Sequence, residues 1–276
     1  MNDLNLLFIT KDIKLASICE TSGVNYIMVD LEIEGKEARQ AGKNTLISDH
    51  KIADVVNLRT VINKSELWVR INPISSNSKK EIDDVISAGA DALMLPMADD
   101  ASTVSKFSNL VNGRAKRILL LETIPALVRA SDICTRELVD GVHIGLNDMH
   151  IDGRLDFMFE LMSSYILDSL SNLLKKRGIP FGIGGVAPIS QKSLLSSRLI
   201  ISQHARLGSN QVIMSRAFSQ IFRGGDKEVE AALSNEIIAL KQEYRSSLYE
   251  PEIKVAKNYQ DFKEGIDNIV ANMEKN

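Results

Sequence analysis

Two carboxylates each follow a short apolar run of the chain. Glu122 comes directly after ILLL (Ile118 to Leu121), and Asp148 comes shortly after GVHIGL. A carboxylate at the end of a buried strand loses hydration at a large free-energy cost, so two in succession suggest a common cause. Mg²⁺, Mn²⁺ or another divalent cation would supply one, because a hard cation takes one or two protein carboxylates and keeps its other positions for water and substrate oxygens. Alternatively, Glu122 pairs with a lysine or arginine, and Asp148 caps the next turn.

A guanidinium and two more acids occupy similar positions. Arg70 lies in LWVRINP, where the interior of a strand would normally hold an apolar residue. It could bind a substrate carboxylate or stabilise an oxyanion beside the cation. The run NYIMVDLE adds Asp30 and Glu32, which could act as a general base, orient Arg70, or pair with Lys36 and Arg39. The alternative for Arg70 is a buried ion pair with Asp30 or Glu32.

The elements that must position these groups are about eight short apolar runs separated by segments with helical spacing. Continuous rather than alternating apolar character is typical of parallel strands that are covered on both faces. The pattern predicts an α/β protein with a (β/α)8 TIM barrel, in which functional groups lie at the carboxyl ends of the strands. An open doubly wound sheet is less favoured, because no glycine-rich dinucleotide turn follows the first strand. The runs are LNLLFIT, NYIMVDL, LWVRIN, DALMLP, RILLLE, GVHIGL, PFGIGG and QVIMS.

The last part of the chain differs from the rest. We assign residues 1–225 to the barrel and residues 226–276 to a C-terminal helical segment with two amphipathic stripes. Part of this segment is the last barrel helix, and the remainder has an apolar face that needs a cover. We expect that face to pack on a second subunit in a homo-oligomer. The alternative is that it folds back on its own barrel.

Composition limits the classes of partner. The chain is 44% hydrophobic and 25% charged, with a net charge of −3, so neither nucleic acid nor an acidic membrane surface is an expected partner. No apolar run approaches the ~18 residues of a membrane span, and the N-terminus lacks the features of a secretory signal. Cys19 and Cys134 have no metal-type spacing. We therefore expect a cytoplasmic protein with reduced, structural cysteines.

Five segments in order resemble one family. VDLE, VRINP, LMLPM, LLLET and HIGLND are similar to the strand-end motifs of the HpcH/HpaI aldolase and citrate lyase β-subunit family. The resemblance implies a (β/α)8 barrel with an appended helix that is often exchanged between subunits. It also implies that Glu122 and Asp148 bind Mg²⁺ or a similar ion, and that Arg70 is the arginine of the third strand.

The same resemblance implies a reaction. A carbon–carbon bond next to a keto acid of the pyruvate or oxaloacetate type would be cleaved or formed through an enolate, with an aldehyde as the second partner. No Schiff-base lysine is needed, and none stands out at a strand end. Two other functions stay open: a citrate-lyase-like enzyme acting on an acyl-coenzyme A thioester, and a metal-binding barrel without catalytic activity.

The chain departs from the family at the acid–base group. Pyruvate aldolases of this family commonly have a histidine directly after the glutamate of the second strand, and here that residue is Ile33. His50, in the long polar loop that follows, is our first candidate for proton transfer, and His150 is the second. We expect His143 and His204 to be structural.

Substrate contacts are expected on the same rim of the barrel. Besides Arg70, we assign Leu146 and Asn147, next to Asp148, and Gly184, in the GIGG segment that ends the seventh run. Glycines there permit a tight turn and a close approach of substrate; a phosphate site is the weaker interpretation. The polar loop containing GKEARQ and NTLISDH is expected to cover the site.

Overall fold

The computed structural model describes residues 3–33 and 49–273. Within these residues, eight parallel strands pair in chain order, and β8 closes on β1 to complete a barrel. The predicted α/β (β/α)8 TIM barrel is therefore confirmed. The strands are β1 Asn5–Ile9, β2 Tyr26–Asp30, β3 Glu66–Arg70, β4 Ala92–Leu95, β5 Lys116–Leu121, β6 Gly141–Ile144, β7 Phe181–Val186 and β8 Gln211–Met214.

Helices cover the outside of the barrel. Short 3₁₀ helices at Met158–Ser163 and Arg216–Gln220 follow β6 and β8. No helix in residues 3–33 and 49–273 is long and apolar enough to cross a membrane. The α-helices are α1 Ile13–Thr21, α2 Ile52–Arg59, α3 Ser78–Ser87, α4 Ala101–Val111, α5 Ile124–Val128, α6 Ala130–Ile133, α7 Leu146–Asp152, α8 Tyr165–Lys176, α9 Ser197–Leu207, α10 Asp226–Leu248 and α11 Glu252–Met273.

Side chains along each strand alternate between the barrel interior and the helix layer. In β5, Leu119 and Leu121 join the large core under the helices, whereas Ile118 and Leu120 join the interior cluster. Both faces of a strand are therefore apolar, which explains the continuous runs in the sequence. The interior cluster consists of Leu7, Met28, Trp68, Ala92, Met94, Ile118 and Leu120.

The two C-terminal helices pack on their own barrel. The first, α10, packs against α9 and α1, as the last barrel helix should, and α11 packs against α9 and the first 3₁₀ helix. Phe262 and Ile266 of α11 are buried there, and the Tyr259 hydroxyl donates a hydrogen bond to the Ser163 carbonyl at 2.7 Å. The apolar face of α11 is thus covered within the chain, as the alternative interpretation had it. A subunit interface through these helices stays a prediction.

Truncating the buried side of α11 is expected to destabilise the protein. Phe262→Ala removes a fully buried ring and should lower the free energy of unfolding by ~3–5 kcal/mol, the usual cost of such a truncation. Urea denaturation measures the change. Ile253→Ala, on the same helix at a side chain 82% exposed, serves as the control and should change stability little. Equal effects of the two substitutions would contradict this packing of α11.

Candidate active site

Four acidic and basic side chains lie at one end of the barrel. Asp30 and Arg70 occupy paired positions at the ends of β2 and β3, two residues beyond the inward-facing Met28 and Trp68. Glu122 follows β5 with the same parity as the inward-facing Leu120. Asp148 lies in the first turn of α7, which begins two residues after β6. The structure therefore places these groups at the carboxyl ends of the strands.

Arg70 is held by the two acids of the VDLE segment. Its Nε and Nη2 donate to the two carboxylate oxygens of Asp30 at 2.8 and 2.7 Å, and Nε lies 3.4 Å from Glu32 Oε2. Burial opposes the charge of Arg70, but the hydrogen bonds and charges of Asp30 and Glu32, with the charge of Glu122, outweigh it and raise the pKa. Within the described part of the chain, no acceptor lies within hydrogen-bond distance of Nη1. The two hydrogen bonds to Asp30 fix the plane of the guanidinium group, and the Nη1 edge is available to a ligand.

The buried ion pair weighed as an alternative for Arg70 is thus present, with both candidate acids. This arrangement does not exclude a role in binding, because an arginine has donors on several edges. Orientation of Arg70 was one of the three roles considered for Asp30 and Glu32. Their possible partners Lys36 and Arg39 lie outside the described residues.

Glu122 is a buried acid of this rim whose pKa is strongly raised. Its side chain is 2% exposed, and its Oε1 accepts a hydrogen bond from the Met97 backbone N–H at 3.1 Å. Burial raises the pKa of Glu122 to about 8; the charge of Arg70 opposes the shift, and the charges of Asp148 and Glu32 add to it. No lysine or arginine of residues 3–33 and 49–273 lies within ion-pair distance of Glu122. The lysine or arginine pair considered for this residue is therefore not formed with any basic side chain of the described residues.

The backbone around Glu122 is shaped to hold its carboxylate. Met97 has φ 52, a left-handed conformation that is uncommon for a residue with a side chain, and its N–H is the donor to Glu122. On the other side, a Cβ on Gly145 would lie 2.7 Å from Glu122 Cβ. Only glycine therefore allows the end of β6 to pass this close to the carboxylate.

Asp148 faces the same region from the start of α7. Gly145, rather than Asp148, is the N-cap residue of this helix, and no side chain caps it, so the capping role considered for Asp148 is wrong. The charge of Asp148 contributes to the raised pKa of Glu122. An acid in a first helical turn is also favoured by the helix dipole.

The donor set fits a hard divalent cation. Within residues 3–33 and 49–273, no three His, Cys, Asp or Glu side chains are grouped so that they could hold a metal ion together. Magnesium does not require such a group, since one or two carboxylates suffice when water and substrate supply the remaining oxygens. Glu122 and Asp148 provide two hard oxygen donors, and in the described part of the chain the buried Glu122 forms no ion pair.

The predicted substrate contacts differ in accessibility. Asn147 is exposed, whereas Leu146 is only 1% exposed. Gly184 has φ +49, and a Cβ there would lie 2.7 Å from Leu146 Cδ1. Leu146 is therefore packed beneath the rim against Gly184, and its position does not support the predicted contact with substrate.

The two candidate acid–base histidines are both bound to backbone groups. His50 Nδ1 accepts the Asp30 N–H at 3.0 Å, which leaves the proton of a neutral imidazole on Nε2. Burial lowers the pKa of His50, against the charges of Asp30 and Asp54. His150 Nδ1 lies 3.3 Å from the Leu146 carbonyl of its own helix. The covering loop predicted around GKEARQ and NTLISDH falls almost entirely outside the described residues.

Sequence reasoning missed the polar group that joins the ends of β2 and β3. Asn72 Oδ1 accepts the Ile33 N–H at 2.9 Å, and Asn72 Nδ2 donates to Glu81 Oε1 at 2.8 Å. The amide thereby ties the segment after Glu32 to the start of α3. Its place two residues after Arg70, in the quoted VRINP segment, was the available signal.

A cavity at the opposite end of the barrel is not part of this site. It has a volume of about 360 Å³. Three of its lining side chains already bind one another, because Lys116 Nζ lies 2.6 Å from Glu66 Oε1 and Trp68 Nε1 donates to Glu66 Oε2. Catalytic groups of such barrels come from the carboxyl ends of the strands, so we assign the chemistry to the rim. The lining residues include Tyr26, Trp68, Lys116, Arg136, Asn210 and Gln211.

A closed parallel barrel with acids and an arginine at its carboxyl end defines the class: a (β/α)8 protein with the architecture of the TIM-barrel enzymes. Comparison with known proteins specifies the family. The family HpcH/HpaI aldolase/citrate lyase matches residues 5–156, which is more than half of the chain. The protein belongs to this family of aldolases and lyases, as the sequence motifs predicted.

A solved structure agrees at the level of the fold. The crystal structure of an HpcH/HpaI aldolase from Desulfitobacterium hafniense DCB-2 superposes with a TM-score of 0.62 at 13% sequence identity. The match covers 83% of this chain and 93% of that one. No protein of the curated set matches the sequence.

Proposed function

We propose that the protein is a divalent-metal-dependent carbon–carbon lyase, a class II aldolase of the pyruvate type, that cleaves or forms a 2-keto acid or keto sugar acid. The observation that carries the proposal is Glu122, a carboxylate that is buried and raised in pKa. The charges of Asp148 and Glu32 add to this shift, and the guanidinium of Arg70, held by Asp30, lies on the same rim.

In this mechanism, Glu122 and Asp148 hold Mg²⁺ or Mn²⁺. When bound, the cation supplies positive charge that polarises a keto oxygen of the substrate. Asp30 holds Arg70 in one plane, so the Nη1 edge donates to the substrate carboxylate or to the oxygen that becomes negative as the enolate forms. The short distance between the buried Glu122 and Gly145 leaves little room for bulk water beneath the site.

The proton in the aldol step has to pass to a base on this rim. His50 is a poor fit for that base, because its unprotonated nitrogen already accepts the Asp30 N–H. Asp30 and Glu32 lie together beside Arg70, at 2.7–2.8 Å and 3.4 Å from its guanidinium nitrogens. We assign proton acceptance to this pair of carboxylates.

Exchange of the methyl hydrogens of pyruvate with solvent tests enolate formation without knowledge of the aldehyde. In D₂O with Mg²⁺ or Mn²⁺, the wild-type protein should remove the methyl signal of pyruvate from the proton NMR spectrum, and chelation of the metal should stop this. Addition of an aldehyde panel should then give adducts detectable by mass spectrometry. Exchange and adducts that appear only with coenzyme A thioesters would support the citrate-lyase-like alternative. Metal binding with neither reaction would leave a binding protein.

Arg70→Lys is expected to lower kcat by ~10²–10³-fold, the cost of losing one well-placed donor to an oxyanion. A lysine ammonium group is a point charge. It cannot make two parallel hydrogen bonds to Asp30 and also direct a further donor at the substrate. Steady-state kinetics or the rate of pyruvate exchange measures the effect.

Arg117→Lys is the matched control for this substitution. Arg117 also forks to one aspartate on the neighbouring strand connection, with Nε and Nη2 each 2.9 Å from Asp140, but it lies at the opposite end of β5. The Arg117→Lys substitution should lower the free energy of unfolding without changing kcat of the folded enzyme. Similar losses of activity in both variants would make Arg70 a structural residue.

A further inference from the structure

One side of the barrel interior is polar. His143 on β6 and Gln211 on β8 take inward-facing positions, whereas their neighbours Val142 and Val212 belong to the outer core. Between the two side chains, Gly182 of β7 leaves the necessary space, because a Cβ there would lie 2.5 Å from His143 Nδ1. The corresponding positions on β2 to β5 are filled by apolar side chains. A fully buried histidine at a strand position that an apolar side chain could fill indicates a specific role for His143.

The hydrogen bonds of the two His143 ring nitrogens determine which of them carries the proton. Nε2 lies 3.2 Å from the Gly184 carbonyl, and Nδ1 lies 3.1 Å from Gln211 Nε2. A carbonyl can only accept, so the proton is on His143 Nε2, and Nδ1 then accepts from the Gln211 amide. Burial lowers the pKa of His143 to about 4, so the neutral form persists at physiological pH.

The Gly184 carbonyl belongs to an irregular part of β7. The register with β8 shifts between Gly182 and Gly185, and Gly184 itself has φ +49. Leu146 packs directly on Gly184, where any Cβ would meet its Cδ1 at 2.7 Å. Leu146 is the first residue of α7, and Asp148 follows in the same turn. The position of Gly184 thus sets the position of the turn that carries Asp148.

We propose that His143, oriented by Gln211, is a positioning residue that holds Gly184 and, through Leu146, the helical turn bearing Asp148. The ring acts through one hydrogen bond to a carbonyl and touches neither substrate nor cation. The expected effect of His143 on kcat rests on the proposed aldolase function. Its role in holding Gly184 and Leu146 in place does not.

Paired substitutions at two buried histidines test the kinetic consequence. His143→Phe keeps a ring and removes the donor to Gly184, whereas His143→Gln keeps an N–H that can reach the same carbonyl. We expect His143→Phe to lower kcat ~10–100-fold, as for other groups that support a ligand, and His143→Gln to recover most of the loss. His204→Phe is the control: His204 is equally buried on α9 and bonds Ser209 Oγ at 3.0 Å, away from the rim. It should leave kcat unchanged.

Backbone amide chemical shifts of the metal-free protein test the geometric claim, whatever the enzyme's activity. His143→Phe should shift the Gly184, Leu146 and Asp148 amides, and His204→Phe should not. Gln211→Met removes only the donor to His143 Nδ1 and should change the chemical shifts of the same amides. This variant provides the comparison if His143→Phe does not fold. Unchanged Gly184 and Asp148 amides would overturn the proposal even in an active enzyme. If the wild type catalyses no exchange while these amides move, the proposed function fails and the positioning role stands.

Discussion

Glu122→Gln and Asp148→Asn are each expected to reduce metal-dependent kcat/KM at least ~10³-fold, since loss of a ligand should exceed the 10–100-fold cost of losing a group that only supports one. Both substitutions keep the size of the side chain and remove its charge. In Glu122→Gln, the amide oxygen can still accept the Met97 N–H, so the fold around the site is retained. Isothermal titration calorimetry with Mn²⁺ and the pyruvate exchange rate provide the two measurements.

Asp152→Asn is a suitable control for these two variants. Asp152 is the last residue of α7, and its Oδ2 accepts the Ile124 N–H at 2.7 Å. Its charge lies on the same helix as that of Asp148 but one turn away from the rim. The control should retain metal affinity and activity. Wild-type Mn²⁺ affinity in both Glu122→Gln and Asp148→Asn would refute the metal assignment and leave only the family and the architecture.

The placement of these acids was predictable because it depends on strand periodicity. Apolar runs locate β5 and β6, parallel order brings their carboxyl ends to one rim, and Glu122 continues the inward parity of Leu120. The same argument applies to Arg70, two residues beyond Trp68. These relations need only the alternation of side chains along a strand and closure of the barrel.

Other features depend on conformations that periodicity does not determine. The left-handed backbone of Met97, which directs an N–H at Glu122, arises directly after β4; the LMLPM motif includes this residue but does not indicate its conformation. The partner of His143 is 68 residues away along the chain; the alternation places the histidine inward but does not identify Gln211. The stripe on α11 showed that a cover was required, and tertiary packing decided that Phe262 is buried against the same chain.

The stability of the metal-free protein is expected to fall as the pH rises from about 5 to about 8.5, because of Glu122. Its pKa is raised from 4.5 to about 8 in the folded protein. Between these values the folded state holds a proton that the unfolded state has lost, so protonation stabilises the fold at low pH, and this contribution is lost as the pH rises through 8. The change should be on the order of a few kcal/mol, since each pKa unit corresponds to about 1.4 kcal/mol.

Comparison of wild type with Glu122→Gln isolates this effect, since the remaining titrating groups are common to both proteins. Urea unfolding in the presence of a chelator, at several pH values from 5 to 8.5, should give a free-energy difference between them that changes with pH. Asp148→Asn should move the change to lower pH, because removal of a nearby negative charge lowers the pKa of Glu122. Mg²⁺ or Mn²⁺ should stabilise the wild type most above pH 8, where the carboxylate is ionised without a proton to displace. The unfolding free energies of wild type and Glu122→Gln could instead change in parallel with pH, with no stabilisation by Mg²⁺ or Mn²⁺. That result would show that Glu122 is ionised and already neutralised in the metal-free protein.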